Sequence, residues 1–333
     1  MELKRQFSTR VVISVAALLS LACSPAPNTL DPWPKTGASL PASNLFDAGF
    51  WKHWGDGQAE LASYDFSISR YREPRRGIVV AIFVSETFSA SRSVKVDQAD
   101  PANPDHFPVL KLNLVEDFQT GVYDYNTMTS TFVALKAANG IADGTPAKVV
   151  YSSQEWCGQV SHQLAFGPTA IRETLHSYFE REGDRDGNLP ARAEGISEDS
   201  LPFWARQMAR PALKPGESRS VPFLPSLQRT RLTHKPLAWT EATLRREAAS
   251  REVTVPAGRF NAEVWSAAMK DGPAITFFVE QTEAHRILKW ESSDGEKAEL
   301  IGTRRMKYWE MNSEKGEASL KELGLSGRPR RTT

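Results

Sequence analysis

Alternation of apolar and polar residues with a period of two constrains the fold of this chain more than any other feature. Apolar side chains occupy every second position over residues 64–68 and again over 110–114, as expected for strands with one buried face. Residues 78–84 form an apolar, mostly β-branched run that suits a central strand. We therefore expect strands along almost the whole chain.

Turn signals divide these strands, and helix signals are sparse. Ser292-Ser-Asp-Gly295 separates two short apolar runs and predicts a hairpin, and Pro256-Ala-Gly258 predicts another. A helix beginning at Ser197 is limited by Pro202, and residues 314–323 predict a second short helix. The expected fold is mainly β: a large curled antiparallel sheet, or an open barrel or sandwich, with few short helices.

The N-terminus has the organisation of a secretory signal peptide. Three basic residues precede an uncharged, mostly apolar run over residues 11–22, which is shorter than the roughly 20 residues of a membrane-spanning helix. Leu19-Ser-Leu-Ala-Cys23 resembles the lipobox of bacterial lipoproteins, with Ser20 where Leu is usual. We expect residues 1–22 to be a signal peptide and Cys23 to be lipidated, which gives an anchor without a span.

Three further regions are expected after the signal peptide. Residues 23–44 are rich in proline and small polar residues and predict an extended tether. Residues 45–312 form the β-rich domain, which the Pro/Gly cluster at 211–216 divides into two β halves in an alternative interpretation. Residues 313–333 are expected to form a short helix and a basic, disordered tail.

The charge balance excludes one class of partner. The chain has 41 Lys and Arg residues against 40 Asp and Glu, so its formal net charge is +1. A nucleic-acid-binding protein needs a large cationic excess or patch. We therefore expect no nucleic-acid partner, and a membrane contact made through the lipid.

Cys157 is the residue with the clearest catalytic potential. Glu155 and His162 lie close to it in the sequence, so the thiol could act as a nucleophile with His162 as its base and Glu155 as the orienting group. The alternative is a buried cysteine without chemistry, because free cysteine is among the most buried residue types. The second interpretation is favoured here.

Two other groups of residues were considered as sites. Trp51 and Trp54 offer aromatic faces for a ligand, although such a cluster more often closes the end of a β domain. The acids at 182, 184 and 186 resemble the start of a calcium loop, but Ala193 replaces its bidentate Glu, so residues 180–188 are interpreted as a turn with Asp-Gly-Asn supplying positive φ. No metal site and no cofactor are expected.

Two specific segments carry a resemblance to a known family. They are VLKLN at 109–113 and SSQEWCG at 152–158. With these segments the chain resembles, over about residues 46–235, a family of uncharacterised bacterial lipoproteins that are sometimes mislabelled septum formation inhibitor. The nucleotide pyrophosphatases that carry that name open with S-x-S-P-R-R, whereas this chain has only Glu73-Pro-Arg-Arg76. The stretch from Val253 to Glu310 is similar to the end of another β-rich exported family.

These observations lead to two hypotheses. The first is a non-enzymatic lipoprotein of the bacterial cell envelope, most simply at the outer membrane facing the periplasm, that binds an envelope protein or an apolar ligand. The second is a hydrolase or transferase that uses Cys157 as its nucleophile. Both resemblances imply a β-rich envelope protein, and neither supplies a catalytic residue.

Overall fold

The computed structural model describes residues 45–138, 140–282 and 284–327. Cys23, the signal peptide, the tether and the last six residues of the basic tail lie outside the described residues. The described part is mainly β, with 53% of the described residues in strands and 12% in helices.

In the described residues before 195 there are nine strands, several of them much longer than an average strand. Their bounds are β1 (Ala59–Arg70), β2 (Glu73–Ser89), β3 (Val94–Lys95), β4 (His106–Thr120), β5 (Tyr123–Ala134), β6 (Pro146–Glu155), β7 (Gly158–Phe166), β8 (Ala170–Ser177) and β9 (Arg185–Pro190).

Eight strands follow in the second part of the described chain. They are β10 (Ile196–Ser197), β11 (Ser218–Leu224), β12 (Thr240–Arg246), β13 (Arg251–Val255), β14 (Gly258–Met269), β15 (Ala274–Glu280), β16 (Ile287–Ser292) and β17 (Lys297–Met306).

The helices are short. The α-helices are α1 (Ala48–Trp54), α2 (Leu201–Ala205) and α3 (Leu227–Thr233), and the 3-10 helices are Glu198–Ser200, Tyr308–Glu310 and Glu314–Leu323. Asp47 caps α1 by accepting a hydrogen bond from the Phe50 amide, and Ser226 caps α3 by accepting one from the Arg229 amide.

All the strands belong to one sheet, and β1 lies in its middle. Ala59–Ser67 of β1 pair with β17, and Glu60–Arg70 pair with β2, both antiparallel. Beyond β2 the order is β4, β5, β6, β7, β8 and β9. Beyond β17 it is β16, β15, β14, β12, β11 and β10. The short strands β3 and β13 pair with β2 and β14.

The expectation of a mainly β fold with a large sheet and few short helices is confirmed. Strands on both sides of residues 211–216 belong to the same sheet. Two details differ from the expectation: the sheet is open and uncurled, and β10 pairs with β11 in parallel. In a curled sheet, one face would be buried against itself. In this open sheet, α2 and α3 cover that face, and their buried side chains pack with those of the strands.

The hairpin predictions are confirmed. Ile287–Ser292 and Lys297–Met306 pair around the turn at 292–295, and Val255 pairs with Gly258 around the Pro-Ala turn. Residues 78–84 lie within β2, flanked by β1 and β4, as an interior strand should.

The two short helices lie where the sequence predicts them, and one predicted turn is wrong. The helical segment after Ser197 ends at Ala205, and the one over residues 314–323 is a 3-10 helix. Residues 185–190 form β9 instead of a turn, because they pair with Ala170–Leu175 of β8. The positive φ of this region lies at Gly183, at 57°.

Candidate functional site

A cavity of about 350 Å³ lies on the face of the sheet that carries the helices. Its walls come from the central strands β1, β2, β4, β5, β15 and β16, from α2, and from α3. The apolar part of the lining consists of Tyr64, Ile68, Ala81, Phe83, Leu112, Leu114, Leu201, Leu232, Ile275, Phe277, Ile287 and Trp290. Inward-facing side chains of adjacent strands thus form a continuous apolar floor.

One wall of this cavity is acidic. Glu116 comes from β4, Asp199 from the 3-10 helix before α2, and Glu296 from the turn between β16 and β17. Burial, followed by the charge of Glu296, raises the pKa of Glu116 to about 8. Burial and the neighbouring Glu198 raise the pKa of Asp199 to about 7. Burial is also the main cause that raises the pKa of Glu296 to about 7.

Hydrogen bonds hold these three carboxyl groups in place. Glu116 accepts from the Thr127 hydroxyl at 3.0 Å and from the Gln228 amide of α3. Glu296 accepts from the Trp290 indole at 2.7 Å. Asp199 accepts from the Leu227 amide at the start of α3. The bonds from Gln228 and Leu227 hold α3 over the sheet.

One arginine forms ion pairs with the remaining two acids of the wall. Arg229 of α3 donates to Glu198 at 2.6 Å and to Asp294 at 2.7 Å. The wall therefore combines these ion pairs with three carboxyl groups of raised pKa: near pH 7 Glu116 is mostly protonated, and Asp199 and Glu296 are about half protonated. Partial protonation of these groups lowers the cost of covering the wall with an apolar molecule.

The residues predicted as a cysteine site do not assemble around the thiol. Cys157 is exposed, in the two-residue turn between β6 and β7, so the favoured expectation of burial is wrong. His162 pairs with Tyr151, four positions along the hairpin from the Glu155–Gly158 pair. At about 3.3 Å per residue, this separation along the strand prevents a direct contact with the thiol.

Glu155 and His162 have other partners. Glu155 forms a buried ion pair with Arg231 of α3. His162 is 3% exposed and lies 2.9 Å from Glu173, which also accepts from Arg185 at 2.6 Å. Although burial acts to raise the pKa of Glu173, the hydrogen bonds from His162 and Arg185 outweigh it and lower that pKa.

The aromatic pair at the start of the domain is structural. Trp54 is 2% exposed and packs against Phe83 and beneath the guanidinium groups of Arg206 and Arg305. Trp51 packs against the same core from α1. Trp54 borders a second cavity of about 420 Å³ next to α2. Trp54 is buried and so presents no open stacking face, whereas Trp51 is only partly buried.

Sequence reasoning missed the acidic wall, although one signal was present. Glu116 continues the alternation of Leu110, Leu112 and Leu114 at the next inward position of β4, so it marks a carboxyl group on the buried face. Asp199 stands in the first turn of the helix predicted after Ser197, a position that does not indicate a cavity. Nothing in the spacing of Glu296 connects it with the other two.

The chain was compared with known proteins. No protein-family model matches it, and no curated protein matches it either. Within residues 45–138, 140–282 and 284–327, no helix has the length and apolar character needed to cross a bilayer. The same residues contain no group of three or more His, Cys, Asp or Glu side chains placed to hold a metal ion.

Proposed function

We propose that this chain is a non-enzymatic lipoprotein of the bacterial envelope, anchored through Cys23, whose β domain binds an apolar ligand in the cavity under α3. The observation that carries the proposal is the cavity itself, with about 350 Å³ of space above an apolar floor. Small-molecule sites typically have volumes of about 300–1,000 Å³ and mostly apolar linings with a few polar groups.

The acidic wall refines the chemistry of the ligand. Protonated carboxyl groups at Glu116, Asp199 and Glu296 can donate a hydrogen bond, and ionised ones can accept one. A molecule with an apolar body and one uncharged or basic polar group satisfies both parts of the lining. An anionic ligand is disfavoured because the ionised forms of these carboxyl groups would repel it.

The cavity can be tested with the uncharged fluorescent probe Nile red and two tryptophan variants. Thr129 lines the cavity from β5, and the neighbouring Met128 lies 39% exposed on the other face of the strand. We expect saturable binding that Thr129→Trp weakens about tenfold or more, a loss of about 1.4 kcal/mol. Met128→Trp serves as the matched control. A folded chain that gives no saturable binding, or equal binding in both variants, contradicts the proposal.

The lipid anchor needs a separate experiment. Expression in a bacterial host fed with an alkyne-labelled palmitate should label the chain and place it in the outer-membrane fraction. Cys23→Ser should abolish the label, whereas Cys157→Ser should keep it. A label that persists in the Cys23→Ser variant would reject anchoring at this residue.

The enzyme hypothesis has one observation in its favour, the exposed thiol of Cys157. Its proposed base and orienting group are both engaged elsewhere, His162 with Glu173 and Glu155 with Arg231. A nucleophilic thiol needs a base within hydrogen-bond reach. The binding function is therefore better supported.

A further inference from the structure

A smaller cavity of about 190 Å³ lies on the other side of α3 and has the opposite charge character. Four cationic side chains line it, together with two histidines and the single acid Glu182. The cationic residues are Arg181, Arg185, Arg231 and Lys235. Glu182 is already engaged: it lies 2.8 Å from His234 and accepts from Ser177 at 2.6 Å.

Arg231 is the central residue of this cavity. Its side chain is 3% exposed, with the guanidinium carbon 3.8 Å from the centre of the Phe179 ring. One nitrogen, Nη2, donates to Glu155. The other two, Nε and Nη1, are buried and have no hydrogen-bond partner in the described part of the chain, although Nη1 lies 3.8 Å from Oε1 of Glu182 in a longer ion pair. Buried guanidinium N–H groups without acceptors are costly and rare.

Arg185 of β9 contributes a second guanidinium, from a side chain that is 38% exposed. Its Nη2 donates to Glu173 at 2.6 Å, while its Nε is buried and has no acceptor among the described residues. Each arginine is thus positioned by one carboxylate and leaves further donors unsatisfied at the same cavity. Two arginines oriented in this way match an acceptor that carries several oxygens and a negative charge.

We propose that this cavity binds the phosphate group of an anionic ligand. The phosphate oxygens accept hydrogen bonds from the free nitrogens of Arg231 and Arg185, and Arg181 and Lys235 at the exposed rim add favourable charge. The site is independent of the apolar cavity, because different residues of α3 face the two spaces: Thr230 and Arg231 line this one, and Gln228 and Arg229 line the other.

Isothermal titration calorimetry of the full chain in a non-ionic detergent tests the site with three probes. Inorganic phosphate represents the free anion, dihexanoyl phosphatidic acid represents a lipid headgroup, and acetate is the carboxylate control. We expect phosphate or phosphatidic acid to bind and acetate to bind at least about tenfold more weakly, since phosphate carries more charge and more acceptors. The tighter of the two phosphate probes identifies the source of the ligand.

Variants locate the binding. Arg185→Gln keeps the buried Glu155–Arg231 pair and should weaken phosphate binding about tenfold or more, in line with the loss of a charge-assisted hydrogen bond. Arg231→Lys keeps the charge but removes the Nε and Nη1 donors, so it should weaken binding similarly. Arg172→Gln, an exposed change on β8 outside the cavity, is the matched control.

Three results would overturn the proposal. One is a folded chain that binds neither phosphate probe. Another is phosphate binding that Arg185→Gln and Arg172→Gln leave equally strong. The third is acetate binding as tight as phosphate binding. Far-ultraviolet circular dichroism of each variant shows whether the protein under test is folded.

Discussion

At the scale of single residues, the exposure of Cys157 determines how its thiol should react. The side chain lies in the β6–β7 turn and is exposed, and His162, its predicted base, lies against Glu173 instead. We expect iodoacetamide to label Cys157 in the folded chain at nearly the rate found in urea. The Cys157→Ser, Val160→Cys variant provides the control, because Val160 is 1% exposed and a thiol there should react only after unfolding.

Labelling much faster than that of free cysteine would contradict this expectation. It would mean that the thiol is activated and would revive the hypothesis of a Cys157 nucleophile. Protection of Cys157 until unfolding would contradict the exposed turn itself.

The ion pair between Glu60 and Arg206 gives a second prediction at this scale. Arg206 donates to the Glu60 carboxylate at 2.7 and 3.1 Å, and both side chains are buried. Glu60→Gln leaves the guanidinium without its counter-charge and should lower the free energy of unfolding by about 3–5 kcal/mol. The double variant Glu60→Leu, Arg206→Met should lose less than Glu60→Gln, because it removes both charges. Urea unfolding of wild type and the two variants measures the three free energies.

The same ion pair predicts how the free energy of unfolding changes at acidic pH. Burial acts to raise the pKa of Glu60, but the charge of Arg206 and hydrogen bonds from His53 and Arg206 lower it to about 2, from an ordinary value of 4.5. The folded state therefore binds this proton more weakly than the unfolded state does. The stabilisation is fully present above pH 4.5 and is lost as the pH falls towards 2. The difference between wild type and Glu60→Gln should shrink over that range.

At the scale of elements, α3 and the 3-10 helix Glu198–Ser200 pack over the sheet through buried acids. Their contribution to the free energy of unfolding should change with pH in the direction opposite to that of Glu60. The pKa of Glu116 is raised to about 8 and the pKa of Asp199 to about 7, mainly by burial. In the folded state these groups keep protons that the unfolded chain has released, so stability should fall as the pH rises from about 5 to 8. Urea unfolding of wild type at several pH values checks the slope.

Matched variants assign that slope to the acidic wall. Glu116→Gln keeps the shape of the side chain without its titration, so the slope between pH 5 and 8 should become smaller. Glu241→Gln, at an exposed position on β12, should leave the slope unchanged. Equal slopes in both variants would mean that Glu116 is already ionised at neutral pH.

The elements also separate what the sequence could predict from what it could not. The strands and hairpins follow from local alternation and turn chemistry, as in β2 and at the 292–295 turn. The end of β6 at Glu155 depends on pairing with β7, so local alternation could not place Cys157 in the turn. The acidic wall joins Glu116, Asp199 and Glu296 from three distant parts of the chain, and only the tertiary fold brings them together.

At the scale of the whole molecule, the central position of β1 links the two parts of the chain. β1 pairs with β2 on one side and with β17, from the far end of the chain, on the other. Residues 45–210 alone would leave one edge of β1 unpaired along nine residues, and residues 217–327 would leave an edge of β17 unpaired. Long exposed strand edges of this kind promote aggregation instead of stable folding.

We therefore expect neither fragment to fold on its own, and an equimolar mixture refolded from urea to regain the sheet. Circular dichroism and size-exclusion chromatography of each fragment and of the mixture measure this directly. The control is the intact chain cut after folding at a protease site inserted between residues 211 and 216, which should stay associated because the strand pairs persist. Cooperative unfolding of either fragment alone would instead support two β halves divided at this cluster, since an independent domain has its own core and its own transition.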